Sequence, residues 1–75
     1  MDSATFLAKV AEVLDYDGEI VRGQNLDDIN MWDSLGILSI VELLEELGTE
    51  LDIETINNLK TTDELIALAG DAVHD

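Results

Sequence analysis

Residues 31–41 read Met31-Trp32-Asp33-Ser34-Leu35-Gly36-Ile37-Leu38-Ser39-Ile40-Val41. An aspartate and a serine stand here directly before a run of apolar residues. Such side chains cap helix N-termini, because their oxygens accept hydrogen bonds from the unpaired N–H groups of the first turn. The stretch therefore predicts a helix that begins at Ser34, with Asp33 as its cap, and ends near Leu47.

This second helix is predicted to be amphipathic. At about 100° per residue its core side collects five apolar residues, namely Ile37, Ile40, Val41, Leu44 and Leu47. Leu35 and Leu38 are left near the surface, close to Glu42, Glu45 and Glu46. From position alone, these leucines are either ordinary exposed residues or part of a contact site for another protein.

The chain before residue 31 predicts one helix and one long loop. The helix runs from about Ala4 to Leu14, and Ser3 is available as its cap. Residues 19–32 show no sustained period, and loops of this length in a compact domain are often functional. The loop is expected to be anchored by its apolar side chains, which are Ile20, Val21, Leu26 and Ile29.

The chain after residue 48 predicts a short helix and a closing helix. The short one covers 51–58, with Ile53, Ile56 and Leu59 facing inward. The closing helix starts after Thr61, which forms a capping box with Glu64, and stops at Gly70; residues 71–75 read as a frayed tail. We therefore predict an all-α fold, a small four-helix bundle of three longer helices and one short helix. It forms a single domain, residues 1–75, with a long loop between helices 1 and 2.

Charge dominates the composition. Eighteen acidic residues face three basic ones, for a net charge of -15 over 75 residues. Such a surface repels nucleic-acid phosphates and anionic lipid, and it attracts proteins that carry Lys/Arg patches. No segment resembles a signal peptide or a membrane span. We expect a discrete cytoplasmic monomer that binds neither nucleic acid nor membrane.

Catalytic residue sets are missing from the sequence. There is no cysteine, and the one histidine, His74, lies in the predicted tail, so neither a zinc site nor another metal site is expected. A hydrolase built on Ser34 would need that tail to fold back, and the chain has no G-x-S-x-G motif. The chain is therefore expected not to be an enzyme.

The segment Trp32-Asp33-Ser34-Leu35 resembles the D-S-L signature of acyl and peptidyl carrier proteins, in a W-D-S-L form. The similarity extends over essentially the whole chain. It includes a helix from Ala4, a loop that carries Leu26, the helix at Ser34, and a closing segment over 60–65. The D-S-L tripeptide alone is a weak indicator of this family, but it gains specificity from the chain length, the acidic charge and its placement before a helix.

The resemblance implies that a phosphopantetheinyl transferase attaches 4'-phosphopantetheine from coenzyme A to Ser34. Asp33 would help to position that reaction, and Leu35 would contact the transferase and later partners. The arm would carry acyl intermediates as thioesters for fatty-acid, polyketide or related biosynthesis. Acyl-handling enzymes with basic patches would dock on Leu35, Leu38, Glu42, Glu45 and Glu46. The apolar residues expected to line a space for the acyl chain are Ile37, Val41, Leu44, Ile56 and Leu65.

Two positions depart from the carriers of fatty-acid synthesis, many of which have acids two and five residues after the serine. Here those positions hold Gly36 and Ser39. The departures favour a specialised polyketide, peptide or other dedicated pathway, and a D-alanyl carrier is a further alternative. Outside the carrier family, the rival interpretation is an unmodified acidic helical interaction module in which Ser34 only caps its helix.

Overall fold

The computed structural model describes residues 1–74, which are mostly helical. These described residues form four α-helices: α1 (Ser3–Leu14), α2 (Ser34–Glu46), α3 (Ile53–Asn57) and α4 (Thr62–Ala69). Two 3-10 helices, Leu26–Asp28 and Gly70–Ala72, accompany them. Three longer helices and one short helix agree with the pattern of apolar residues.

Helix α1 is capped one residue earlier than predicted. The Asp2 Oδ1 atom accepts a hydrogen bond from the Thr5 N–H at 2.8 Å. Ser3 is already helical and buried, so the prediction that Ser3 caps this helix is wrong. The helix ends at Leu14, and its C-cap Asp15 adopts the left-handed conformation with φ 55° and donates its N–H to carbonyls of the last turn.

Helix α2 begins at Ser34 with Asp33 as its cap, as predicted, and ends at Glu46. It packs against both α1 and α3. The predicted inner face is confirmed for Ile37, Ile40, Val41 and Leu44, which are all buried, and Leu43 is buried as well. Leu47 is half-buried at the C-terminal cap.

Helix α3 is shorter than the predicted range 51–58. Asp52 caps it, accepting hydrogen bonds from the Thr55 hydroxyl at 2.7 Å and the Thr55 N–H at 2.9 Å. These bonds hold the pKa of Asp52 below its usual value of 3.8. The prediction that Ile53 faces inward is wrong: the helix starts at Ile53, which stays 50% exposed while Ile56 reaches the core.

The connection between α1 and α2, residues 15–33, is fastened to the start of α4. An antiparallel bridge joins Asn25 to Thr61. The Leu26 N–H donates to the Lys60 carbonyl at 2.8 Å, and the fully buried Thr62 hydroxyl donates to the Val21 carbonyl at 2.6 Å. Val21 is held through its main-chain carbonyl, whereas its side chain is 49% exposed, so the prediction that this side chain anchors the segment is wrong. The buried anchors are Ile20, Leu26 and Ile29.

Helix α4 has the predicted cap, but its capping box is displaced. Thr61 Oγ1 accepts from the Glu64 N–H at 3.4 Å, whereas Glu64 Oε2 accepts from the N–H of Lys60, the residue before the cap, at 2.8 Å. Residues 71–74, predicted as part of a frayed tail, continue the fold: the His74 N–H donates to the Met1 carbonyl at 2.7 Å. Asp75 lies outside the described residues.

A single apolar core joins all four helices and the connection between α1 and α2. Its fully buried members include Phe6, Leu26, Ile29, Ile40, Leu44, Ile56 and Leu65. Residues 26 and 29 belong to this core, so the segment that leads to Ser34 is packed on the helices. The position of Ser34 is therefore set by the core as well as by its own helix.

Candidate functional site at the start of α2

Ser34 is the first residue of α2, and it is exposed. Asp33 fixes the turn before it: the Asp33 Oδ1 atom accepts from the Gly36 N–H at 2.9 Å, and the Asp33 carbonyl accepts from the Ile37 N–H at 2.8 Å. Within residues 1–74 the Ser34 hydroxyl forms no hydrogen bond. A reactive partner in solution can therefore reach this hydroxyl without first breaking an interaction.

The N-terminal end of a helix is a favourable place for an anionic group. Unpaired N–H groups and the helix dipole place about half a positive charge there. In α2 the cap satisfies the Gly36 N–H, and the N–H groups of Ser34 and Leu35 face the same end of the helix without an acceptor in the described chain. A phosphate ester on Ser34 therefore fits this end of the helix.

Gly36 holds the first turn of α2 against the connection. It is buried, and a Cβ atom at this position would lie 2.8 Å from Leu14 Cδ2 and would overlap the Met31 carbonyl oxygen. That carbonyl accepts the Asp33 N–H at 3.0 Å and so has little freedom to move. The packing around Gly36 therefore leaves no room for a side chain, so a carboxylate cannot occupy this position.

The five residues predicted to dock partners all lie on the exposed side of α2. Leu35 is 77% exposed and Leu38 is 43% exposed. The carboxylates of Glu42, Glu45 and Glu46 are exposed further along the helix. We refer to these five residues as the α2 surface. It combines two uncovered leucines with three acids, and the sequence has no Lys or Arg between Arg22 and Lys60.

The residues predicted to line an acyl-chain space are all buried in the common core. Ile37 and Val41 are 5% and 8% exposed, and Leu44, Ile56 and Leu65 are 0% exposed. A cavity of about 430 Å³ lies elsewhere, between α1 and residues 18–22, and a second cavity of about 210 Å³ lies beside Met31. Neither cavity is lined by the five predicted residues.

His74 is far from Ser34 along the fold. Its N–H is bonded to Met1, just before the start of α1, whereas the Ser34 end of α2 packs against Leu14, at the end of α1. A helix of twelve residues separates these ends by about 18 Å. The geometry therefore gives no support to a Ser34–His74 catalytic pair.

Comparisons with family models, curated proteins and solved structures gave no match. The functional argument therefore rests on the residues themselves. Among residues 1–74, no group of three His, Cys, Asp or Glu side chains is arranged to hold a metal ion. In the same range no helix has the length and apolar character needed to cross a membrane.

Two contributors to the site were missed by reasoning from sequence. The first is the close packing of Gly36 against the Met31 carbonyl, which leaves no room for a side chain. The sequence signal that could have indicated this contact is a glycine in the first turn of a predicted helix. The second is Thr62, whose buried hydroxyl ties the connection to α4. No local pattern marks Thr62, because its partners lie 41 and 38 residues away.

Proposed function

We propose that this chain is an acyl carrier protein built as a small four-helix bundle, with 4'-phosphopantetheine attached to Ser34. The observation that carries the proposal is the setting of Ser34. Its exposed hydroxyl stands at the first position of α2, in a turn held by the Asp33 cap and the Gly36 contact. Capping alone does not require this serine, because Asp33 is the residue that caps.

The chemistry of attachment needs little from the carrier itself. The Ser34 oxygen forms a bond to phosphorus, the nucleotide half of coenzyme A leaves, and the hydroxyl proton passes to a base on the transferase. Asp33 keeps the first turn in place, and the N-terminal end of α2 favours the phosphate that remains on Ser34. The chain has no cysteine, so the thiol that forms thioesters is supplied by the arm when it is bound.

The α2 surface serves as the docking site for the transferase and for acyl-handling enzymes. Its glutamates attract basic patches and speed encounter, and its two exposed leucines provide apolar contact once the partner has docked. Gly36 and Ser39 make the first turn less acidic than in many carriers of fatty-acid synthesis. This favours partners from a dedicated polyketide, peptide or related pathway.

Mass measurement after enzymatic loading tests the proposal. The protein is incubated with coenzyme A and a phosphopantetheinyl transferase of broad specificity, and its intact mass is recorded. We expect the mass of one phosphopantetheine to be added to the parent chain and to Ser39→Ala, and none to Ser34→Ala. Ser39 is the matched control because it lies in the same helix, with its hydroxyl bonded to the Leu35 carbonyl at 3.2 Å.

An unmodified parent chain would favour the acidic interaction module. A mass gain that persists in Ser34→Ala would place the modification elsewhere and overturn the assignment of Ser34. To exclude a folding artefact, the helical circular dichroism of Ser34→Ala should equal that of the parent, which is expected because Ser34 is exposed.

A further inference from the structure

A groove runs along one side of α1, between the helix and residues 18–22. Its volume is about 430 Å³, within the range of small-molecule pockets. The apolar lining side chains are Ala4, Leu7, Ala8, Ala11, Ile20 and Val21. We call it the α1 groove. From Ala4 to Ala11 the helix extends about 10 Å, so a hydrocarbon tail of several carbons can lie along the groove.

A smaller cavity adjoins the α1 groove just beyond the end of α1. It has a volume of about 210 Å³ and is lined by Asp15, Tyr16, Asp17, Gly18, Asn30 and Met31. We call it the acidic cavity. Gly18 lines both cavities, so they meet at that residue. The Tyr16 ring lies at the same junction, because a Cβ atom at Gly18 would be 2.8 Å from the Tyr16 Cε2 atom.

The acidic cavity has the side chains that an ammonium group needs. Asp15 and Asp17 are exposed, and within residues 1–74 neither carboxylate is paired with a basic side chain. A primary ammonium group has three N–H donors, which the two carboxylates and the Asn30 amide oxygen can accept. The Tyr16 ring can add a cation–π attraction. The acidic cavity therefore suits an organic cation.

The apolar groove that joins this cavity restricts the cation to one that has a hydrocarbon tail. We propose that the α1 groove and the acidic cavity together bind a free long-chain primary amine in its ammonium form. The ammonium group lies between Asp15 and Asp17, and the tail covers the apolar lining, including the Val21 side chain, which is 49% exposed. The lining of the two cavities contains no residue of α2, so this binding does not depend on Ser34 or on the proposed function.

Charge disfavours the other occupants of the groove. A fatty acid or a second copy of the chain would bring negative charge beside Asp15 and Asp17, on a protein of net charge -15. A neutral alcohol would fill the groove but leave the two carboxylates without a counter-charge. Arg22, a basic residue of the lining, has its Nε paired with Asp63 Oδ1 at 3.2 Å. The charge of the site therefore favours a cation.

Titration followed by nuclear magnetic resonance tests the proposal. The probe is n-octylammonium, and octanoate and 1-octanol are compared with it because they have tails of the same length but different head groups. We expect n-octylammonium to shift the methyl signals of Ala8 and Ile20 and the amide signals of Asp15 and Asp17 until a single site is filled. Octanoate and 1-octanol should bind at least about fivefold more weakly, because one solvated charge pair contributes roughly that factor.

Two pairs of aspartates separate a local site from general attraction by the acidic surface. Combining Asp15→Asn with Asp17→Asn should weaken n-octylammonium binding at least about fivefold. Asparagine tolerates the left-handed conformation of residue 15, φ 55°, so this variant should fold. Combining Asp27→Asn with Asp28→Asn removes the same charge from exposed positions outside both cavities. This control should change the affinity by less than about twofold, because solvent and salt screen distant charges.

A second matched pair tests the groove itself. Ala8→Phe fills the groove from an exposed position and should abolish the shift of the Ile20 methyl signals. Ala67→Phe, at an exposed alanine of α4, should leave that shift unchanged. Ser34→Ala should bind n-octylammonium as the parent chain does.

Three results would overturn the proposal. Equal affinity for n-octylammonium and 1-octanol would show an apolar groove without recognition of the ammonium group. Equal weakening by the two pairs of asparagine substitutions would reduce the binding to diffuse attraction by the net charge. Shifts on α2 in place of those at Ala8 and Ile20 would put the binding elsewhere. None of these results bears on the modification of Ser34, which is tested separately by mass.

Discussion

Replacing Gly36 by alanine would press one methyl group against the main chain of the connection. The new Cβ atom would overlap the Met31 carbonyl oxygen and lie 2.8 Å from Leu14 Cδ2. The leucine side chain can move aside. The carbonyl cannot move without straining the hydrogen bond that it accepts from the Asp33 N–H at 3.0 Å.

Two opposing effects set the magnitude. Alanine is favoured over glycine in a helix by at most about 1 kcal/mol, and inserting a methyl group into a packed site costs about 1–3 kcal/mol. Because a backbone atom opposes the methyl, the upper part of that range applies. We expect Gly36→Ala to lower the free energy of unfolding by about 1–2 kcal/mol. In a domain of this size each kcal/mol lowers the Tm by about 4–8 °C.

Urea and thermal unfolding followed by circular dichroism measure this effect. Gly18→Ala is the matched control, because its Cβ atom would also lie 2.8 Å from a neighbour, but that neighbour is the half-buried Tyr16 ring, which can rotate. We expect Gly18→Ala to change stability by less than about 0.5 kcal/mol. Should Gly36→Ala be as stable as the parent or more stable, the reasoning about the first turn of α2 would be refuted.

The remaining predictions concern the Thr62 hydrogen bonds that fasten residues 15–33 to α4, the Asp52 cap of α3, the α2 surface and the net charge. Thr62→Val should cost about 1–3 kcal/mol in urea unfolding, because it removes both hydrogen bonds of the buried Thr62 hydroxyl and leaves the partly buried Val21 carbonyl and Gln24 N–H without that partner. Thr49→Val, in the turn after α2, should change stability by less than about 0.5 kcal/mol, and equal effects of the two substitutions would contradict the fastening. The lowered pKa of Asp52 means that its cap contributes stability above the unfolded value of 3.8 and loses it as the pH falls through the folded pKa. Asp52→Ala should therefore melt below the parent at pH 7, and the gap should close in acid below that pKa; a gap independent of pH would refute the cap. Leu35→Ala should leave the Tm unchanged but lower kcat/KM for the transferase, and Val13→Ala, at an exposed valine of α1, should change neither; equal loading kinetics would remove Leu35 from the docking site. Added NaCl should raise the Tm by screening the net charge of -15, and a flat response would show that self-repulsion is unimportant.

The sequence predicted α2 most accurately, because its signals are local. Asp33 precedes the helix directly, and the apolar residues recur at helical spacing, so both the start and the inner face followed from neighbours within a few turns. The same kind of signal located the N-cap of α4 at Thr61. These elements could be predicted because the interactions that define them join residues close in the chain.

Long-range packing explains what local patterns missed. Val21 looked like an anchor by its apolar side chain, but Thr62 binds its carbonyl from 41 residues away. Ile53 was assigned to the core by its spacing from Ile56, but α3 starts at Ile53 and leaves it half exposed. The reason for Gly36 is likewise a contact with the main chain outside the helix. Such contacts cannot be predicted from periodicity.

The attachment of an arm to Ser34 is the central claim, and fragmentation of the modified peptide tests it most directly. The sequence has no Lys or Arg between Arg22 and Lys60, so trypsin releases residues 23–60 as one peptide that contains both Ser34 and Ser39. After loading with coenzyme A and a transferase, tandem mass spectrometry should place one phosphopantetheine on Ser34. An unmodified peptide, or a modification placed on Ser39 or a threonine, would contradict the account.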